Sequence, residues 1–133
     1  SLDYDHGTGH GVGVFSNVHQ GPQGISRLNT VPLNPGMILS VEPGVYLEGK
    51  LGIRLENLVY VKKKSGNSRQ KKEFLEFETL TLVPFEKKLI EKDLLSCDEL
   101  HWLNSYHDNV YNKLSPFLNV SEKTWLRDAC KIL

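Results

Sequence analysis

The chain has 133 residues, 39% of them aliphatic, aromatic or cysteine and 24% charged, which suits one folded domain or a part of one. Basic and acidic side chains number 16 each, which excludes a nucleic-acid or anionic-membrane binder that relies on bulk charge. No apolar run approaches the roughly 20 residues of a membrane span, and no signal-like segment stands at the front. We therefore expect a soluble chain with neither a nucleic-acid nor a membrane partner.

The first element is a glycine-rich segment, residues 6–13, that carries His6 and His10 four positions apart. A zinc-protease motif at this spacing needs a helix, and interior glycines oppose one at about 1 kcal/mol each relative to alanine. A phosphate-binding glycine loop would be followed by a helix, whereas the next residues have an extended pattern. A glycine-rich turn that merely contains histidines remains open for this motif alone.

Alternating apolar residues then predict a strand over 12–18 that ends at His19. Residues 20–35, rich in proline and polar side chains, predict a surface connection that ends in a turn at 34–36.

Three further strands are predicted at 37–42, 45–47 and 51–61. Glu42 ends the first of them, immediately before Pro43. In the last strand, strict alternation places Arg54 and Glu56 on one face. Residues 62–72 predict a hairpin tip rather than a nucleic-acid patch, because no aromatic residues interrupt the charges, and 74–83 predict the returning strand.

The end of the chain is predicted to be helical. Ser96 and Glu99 form a capping-box pattern before an apolar stripe that reaches Leu114. Pro116 ends this helix, and Ser121 is the predicted N-cap of a second helix that reaches the terminus. Cys97 and Cys130 fall in these helices and predict buried thiols in a reducing compartment.

The order of elements predicts an α+β fold, in which an antiparallel sheet over 1–85 precedes a helical tail over 86–133. Six polar residues interrupt its apolar or glycine-rich stretches, namely His6, His10, His19, Glu42, Arg54 and Glu56. Each glutamate alone is more often a surface or ion-pair residue. Together, imidazoles and carboxylates suit a divalent ion such as manganese, iron, cobalt or zinc.

These residues lie in motifs that resemble the aminopeptidase P, prolidase and creatinase family of "pita-bread" metallopeptidases. The matching segments are His6-Gly-Thr-Gly-His10-Gly-Val-Gly, Asn17 to Pro22, Pro35 to Gly44, and Gly52 to Asn57. Residues 80–84 and 102–107 resemble the tail of the larger Xaa-Pro aminopeptidases in this family. The resemblance implies the C-terminal half of a pita-bread catalytic domain.

The resemblance implies three metal ligands, His10, Glu42 and Glu56, with Glu56 bridging two divalent ions. The ions would be manganese, with cobalt or zinc as alternatives, and would hold a hydroxide that attacks the peptide bond. The family's two aspartate ligands lie upstream of the histidine motif, and Asp3 and Asp5 are too close to His6 to replace them.

The remaining roles also come from the resemblance. His6 and His19 correspond to substrate-binding histidines, and His19 would also stabilise the reaction intermediate. Arg54 corresponds to an arginine beside the metal ligands, and Glu42 would accept the proton during attack. Two departures, Gln20 in place of glutamate and Val45 in place of tyrosine, affect substrate contacts.

The function implied is that of an Xaa-Pro aminopeptidase, which removes the N-terminal residue from peptides with proline in second position. We expect the chain to be an inactive C-terminal fragment of a cytoplasmic enzyme that forms a homodimer through its tail. The alternatives are a prolidase-type dipeptidase and a non-catalytic binding module of the same fold.

Overall fold

A computed structural model of the chain describes residues 3–15, 17–65 and 73–133. These fall into two compact units, Ser1–Thr81 and Leu82–Leu133. The first unit contains the β-strands and the second the helices. The predicted α+β order, with helices following an antiparallel sheet, is confirmed.

Seven short strands make up the first unit: β1 (Gly9–His10), β2 (Gly24–Ile25), β3 (Ile38–Val41), β4 (Gly44–Leu47), β5 (Leu51–Arg54), β6 (Asn57–Lys63) and β7 (Leu75–Thr79). β1 pairs with β2, β4 pairs with β5, and β6 lies between β3 and β7. All of these pairs are antiparallel.

Strands β3 to β6 form one long hairpin with a break in each arm. Gly44 of β4 lies opposite Arg54 of β5, and the β3–β6 ladder resumes beyond the break. Pro43 has no N–H to donate to a ladder, but its carbonyl accepts the N–H of Leu55 at 3.1 Å. The single strand predicted over 51–61 is therefore wrong, and Arg54 and Glu56 do not share a strand.

The core of the first unit consists of Leu39, Val59 and Val61, all buried. Half-buried apolar side chains surround them, namely Ile25, Leu33, Met37 and Val41. Burial of each core side chain stabilises the fold by roughly 1.5–3 kcal/mol. The strand predicted over 74–83 is shorter than expected, and its apolar side chains at positions 75, 77 and 80 are exposed rather than buried.

The strand predicted over 12–18 is also wrong. The N–H of Gly13 donates to the carbonyl of Asn17 at 2.8 Å and closes a turn, and Val14 and Phe15 are 83% and 95% exposed. Val12 is half-buried and donates its N–H to the carbonyl of Ile38 at 3.1 Å, but the contact with β3 does not extend to Val14. The short strands β1 and β2 form instead, partly within the predicted surface connection. Residues 66–72 of the predicted hairpin tip lie outside the described residues, whereas Lys62 and Lys63 belong to β6.

The second unit contains two α-helices, α1 (Cys97–Leu114) and α2 (Val120–Ala129). The predicted capping box of α1 is confirmed, because Ser96 Oγ accepts the N–H of Glu99 and the Glu99 carboxylate accepts the N–H of Ser96. Helix α2 begins earlier than predicted, with Asn119 rather than Ser121 as its N-cap. Asn119 forms its own capping box with Glu122 three residues later.

The core of the second unit consists of Tyr106, Val110, Leu126 and Cys130. Burial raises the pKa of the Cys130 thiol. Cys97, the first residue of α1, is exposed, contrary to the prediction. No helix in the described part of the chain is long and apolar enough to cross a bilayer.

Candidate active site

One cleft of about 350 Å³ in the first unit, here called the histidine cleft, collects most of the predicted site residues. The predicted side chains that line it are those of His6, His10, His19, Glu42 and Arg54. They come from the glycine segment, the loop after it and the two arms of the long hairpin. Sequence positions up to 48 residues apart thus meet at one place.

The glycine segment is held against β3 by backbone contacts. Gly9 is buried, and a Cβ at this position would overlap the backbone oxygen of Ser40. The N–H of Glu42 donates to the carbonyl of Thr8 at 2.7 Å. Only glycine allows so close an approach, and the segment thereby brings His10 next to the end of β3.

Glu42 lies at the centre of the cleft and is only 7% exposed. Its Oε1 accepts a hydrogen bond from Ser40 Oγ at 3.0 Å and lies 3.0 Å from His10 Nε2. Its Oε2 accepts a hydrogen bond from Arg54 Nη1 at 3.2 Å. A buried carboxylate without partners would be strongly unfavourable, so these contacts explain how Glu42 is accommodated.

The His10 ring has one nitrogen committed to the backbone. Its Nδ1 lies 3.0 Å from the carbonyl of Gly11, and because a carbonyl can only accept, Nδ1 carries the proton. The other nitrogen, Nε2, faces Glu42 Oε1 at 3.0 Å. His10 Nε2 and Glu42 Oε1 both carry lone pairs, so a cation between them, either a proton or a metal ion, satisfies both atoms.

The chemistry of this pair fits a metal ion, because an imidazole nitrogen and a carboxylate oxygen are both donors that borderline divalent ions accept. A ligating histidine also commonly donates its other ring N–H to a carbonyl, as His10 does to Gly11. His10 and Glu42 therefore fit as metal ligands.

His19 brings a second imidazole to His10. Their ring centroids are 4.2 Å apart, and His19 is exposed. Its loop is attached to the glycine segment because the N–H of Gln20 donates to the carbonyl of Gly11 at 2.9 Å.

His6 and Arg54 are joined by a residue that sequence reasoning missed, Tyr46. His6 Nδ1 donates to the carbonyl of Gly7 at 2.8 Å, which leaves Nε2 to meet the Tyr46 hydroxyl at 2.8 Å. Arg54 Nε donates to the same hydroxyl at 2.9 Å. This contact is the main reason that the pKa of Arg54 is raised, and the nearby carboxylates of Glu42 and Glu56 add to it.

Glu56 does not line the histidine cleft. It is exposed and lies between β5 and β6. Within the described ranges, no three His, Cys, Asp or Glu side chains form a group able to hold a metal ion. The ligand role of Glu56 stays a prediction.

Ser40 was also missed, although the sequence offers a sign of it, since Ser40 is the lone polar residue in the apolar run before Glu42. Tyr46 gives no comparable sign. Its role depends on His6, which lies 40 positions away in the sequence.

Comparisons with known proteins agree on one family. The model for metallopeptidase family M24 matches residues 1–63, and that for the C-terminal region of peptidase M24 matches residues 73–133. A probable Xaa-Pro aminopeptidase P from Arthroderma gypseum is 51% identical over 95% of this chain and 21% of the relative. Another, from Botryotinia fuckeliana, is 48% identical over 94% of this chain and 20% of the relative. The chain thus spans about a fifth of the length of these relatives.

A solved structure is similar over almost the whole chain. It is the X-prolyl aminopeptidase from Caenorhabditis elegans, described as a cytosolic enzyme with a di-nuclear active site. The TM-score is 0.89 at 40% identity, over 99% of this chain and 22% of that one. This likeness confirms the predicted pita-bread architecture.

Proposed function

Because the chain belongs to metallopeptidase family M24, we propose that it is the C-terminal, ligand-bearing part of a metal-dependent Xaa-Pro aminopeptidase. The complete enzyme releases the N-terminal residue from peptides that carry proline second. The similar proteins named above support this assignment. In keeping with the neighbour described as cytosolic, the proposal includes a cytoplasmic location.

The observation that carries the proposal is the paired arrangement of His10 Nε2 and Glu42 Oε1, 3.0 Å apart, at the base of a cleft with two further histidines. His10, Glu42 and Glu56 would hold two divalent ions, with manganese the expected metal, together with two aspartates that the family resemblance places upstream. When bound, the ions would polarise the peptide carbonyl and lower the pKa of a water molecule.

The side chains of this chain have the remaining roles in the reaction. Glu42 takes up the proton of the attacking water, and Arg54 holds Glu42 Oε2 so that the carboxylate keeps its orientation. His19, at the exposed side of the cleft, donates to the oxygen that becomes negatively charged. His6, oriented by Tyr46 and Gly7, contacts the substrate.

The test compares this 133-residue chain with a longer chain that includes the upstream half, each with added manganese. We expect only the longer chain to cleave an Xaa-Pro-Xaa tripeptide, because the upstream aspartates complete the metal site. Cleavage by the short chain would show that its own ligands suffice and would contradict the two-ion arrangement.

Two further measurements separate the alternatives. A prolidase-type enzyme would cleave Xaa-Pro dipeptides and leave the tripeptide intact, whereas we expect the reverse preference. A binding module of this fold would show no rise in melting temperature with manganese and no cleavage of either peptide.

The proposal extends to a homodimer formed through the helical unit. Trp102 is 53% exposed and stacks on Tyr106 at a centroid distance of 5.5 Å. Trp125, on α2, is also exposed. Trp102→Ala in the complete enzyme should shift sedimentation towards monomer, and an unchanged dimer would refute this assignment.

A further inference from the structure

We propose that Ser40 is a positioning residue that sets the orientation of the Glu42 carboxylate and ties it to the backbone of His10. The inference rests on the proposed function, because it assigns Ser40 to the same metal site. Ser40 itself touches neither substrate nor metal and acts through Glu42.

The contacts of Ser40 link two segments that are distant in sequence. Its hydroxyl accepts the backbone N–H of His10 at 3.0 Å and donates to Glu42 Oε1 at 3.0 Å. Ser40 and Glu42 are two positions apart at the end of β3, where alternate side chains share a face. The Ser40 hydroxyl therefore connects the backbone of His10 with the carboxylate of Glu42.

A hydroxyl has one proton to donate, and here it is directed at Glu42. Ser40 is fully buried, so no water can take its place without a rearrangement of the strand. Because His10 Nδ1 is bound to Gly11, rotation of the His10 ring is already restricted. Ser40 adds the matching restriction on the carboxylate, so that Oε1 rather than Oε2 faces His10 Nε2.

The two carboxylate oxygens of Glu42 have different partners. Arg54 holds Oε2 at 3.2 Å, whereas Oε1 has Ser40 and His10. Without the Ser40 hydroxyl, Oε1 would lose its neutral donor, and the carboxylate could rotate towards the Arg54 guanidinium. The expected consequence is a weaker metal site in an otherwise folded enzyme.

The experiment uses the complete enzyme with Ser40→Ala, Ser40→Cys and Ser40→Thr. Manganese affinity is measured by calorimetry on the metal-free protein, and kcat and KM are measured with an Xaa-Pro-Xaa tripeptide. We expect Ser40→Ala to weaken manganese binding about 10–100-fold, as is typical for loss of a partner to a ligand, and to lower kcat with little change in KM.

The other two variants separate orientation from packing. Ser40→Cys replaces the hydroxyl with a somewhat larger thiol that donates only weakly, so it should behave like Ser40→Ala in manganese affinity. Ser40→Thr keeps the hydroxyl and should restore affinity and kcat. Val59→Ala, a core substitution on the neighbouring strand, is the matched control, since it should lower the melting temperature without changing manganese affinity.

Three outcomes are informative. Weaker metal binding in Ser40→Ala and Ser40→Cys, with rescue in Ser40→Thr, supports the inference. Manganese affinity equal to wild type in Ser40→Ala, beside a large loss in Glu42→Ala, overturns the role of Ser40 and leaves the proposed function standing. No change in affinity for Glu42→Ala would overturn the metal site itself.

Discussion

Both units bury polar side chains, but they satisfy them in different ways. In the first unit, Ser40 Oγ and both carboxylate oxygens of Glu42 have partners. In the second unit, His107 is fully buried, and its Nε2 accepts the N–H of Phe85 at 3.1 Å. Its Nδ1 has no hydrogen-bond partner among the residues that the structure describes.

The difference indicates what each buried group is for. Ser40 and Glu42 depend on partners from distant segments that converge on an open cleft, an arrangement suited to chemistry. His107 accepts a single backbone N–H, that of Phe85, within an apolar core, an arrangement suited to packing. Substitution of these buried polar side chains should therefore reduce activity in the first unit and stability in the second.

The largest effect is expected at the centre of the cleft. In the complete enzyme, Glu42→Gln removes the negative charge between His10 and Arg54 and the group that accepts the proton, so kcat should fall about 10²–10⁴-fold. The measurement is tripeptide cleavage, with thermal unfolding recorded in parallel. Glu48→Gln, exposed on the same hairpin, is the matched control, and a Glu42→Gln enzyme as active as this control would remove Glu42 from the mechanism.

Gly9 tests whether the first unit also depends on close backbone packing. Because a Cβ here would meet the backbone oxygen of Ser40, Gly9→Ala should lower the free energy of unfolding by about 3 kcal/mol. Gly7→Ala is the control in the same segment, since the nearest atom to a Cβ there is 3.6 Å away. Urea unfolding of the chain compares the two, and equal stabilities would contradict the close approach.

The pH dependence of stability tests the role of His107 in the second unit. Burial first, and Lys87 second, hold the pKa of His107 below its ordinary value of 6.5. As the pH falls, His107 is therefore protonated in the unfolded state before it is protonated in the folded state. The free energy of unfolding should be greatest above pH 6.5 and should decrease progressively below it.

Replacement of this histidine should change both the stability and its pH dependence. His107→Leu leaves the N–H of Phe85 without its acceptor and should cost about 1–3 kcal/mol at neutral pH. In His107→Leu, the free energy of unfolding should also decrease less steeply below pH 6.5. His101→Leu, exposed on the same helix, should do neither, and an unchanged pH profile in His107→Leu would show that other groups govern it.

The smallest effect is expected at the start of α1. Ser96→Ala removes the N-cap acceptor and should destabilise the chain by about 1 kcal/mol. Ser105→Ala, at an exposed position inside the same helix, should be neutral or slightly stabilising, because alanine favours helix. Equal melting temperatures for the two variants would mean that α1 is held by packing alone.

The helices could be predicted from the sequence because their determinants are local. Ser96 and Glu99 meet within one turn, and the apolar stripe that follows contains Leu103 and Val110, both buried. The start of α2 was misplaced because Asn119 and Ser121 are both good N-caps, and only Asn119 has a glutamate three residues later.

The strands were harder to predict because their determinants lie elsewhere in the chain. Alternation alone predicted one strand over 51–61, but the break is imposed by Pro43 in the opposite arm of the hairpin. Alternation over 12–18 led to no strand, since the contact with β3 ends at Val12, whose N–H donates to the carbonyl of Ile38, and the chain then turns at Val14 and Phe15.

The residues of the candidate site also differ in whether they could be predicted from the sequence or only from the fold. Glu42 could be singled out because it interrupts an apolar run, and the structure places it, buried, beside His10. The contacts of Ser40 and Tyr46 require the fold, since they join residues 30 and 40 positions away. Family resemblance supplied the role of Glu56, which nothing in the local geometry indicates.

The broken hairpin has a practical consequence for engineering. Its tip, residues 48–50, is exposed and turns through Gly49 at φ +67°, while Pro43 and Leu55 preserve the register on the other side of β4 and β5. An inserted fluorophore or epitope at the tip should be tolerated, as exposed loop tips generally tolerate insertions. This hairpin therefore offers a place to attach a reporter at residues that do not line the histidine cleft.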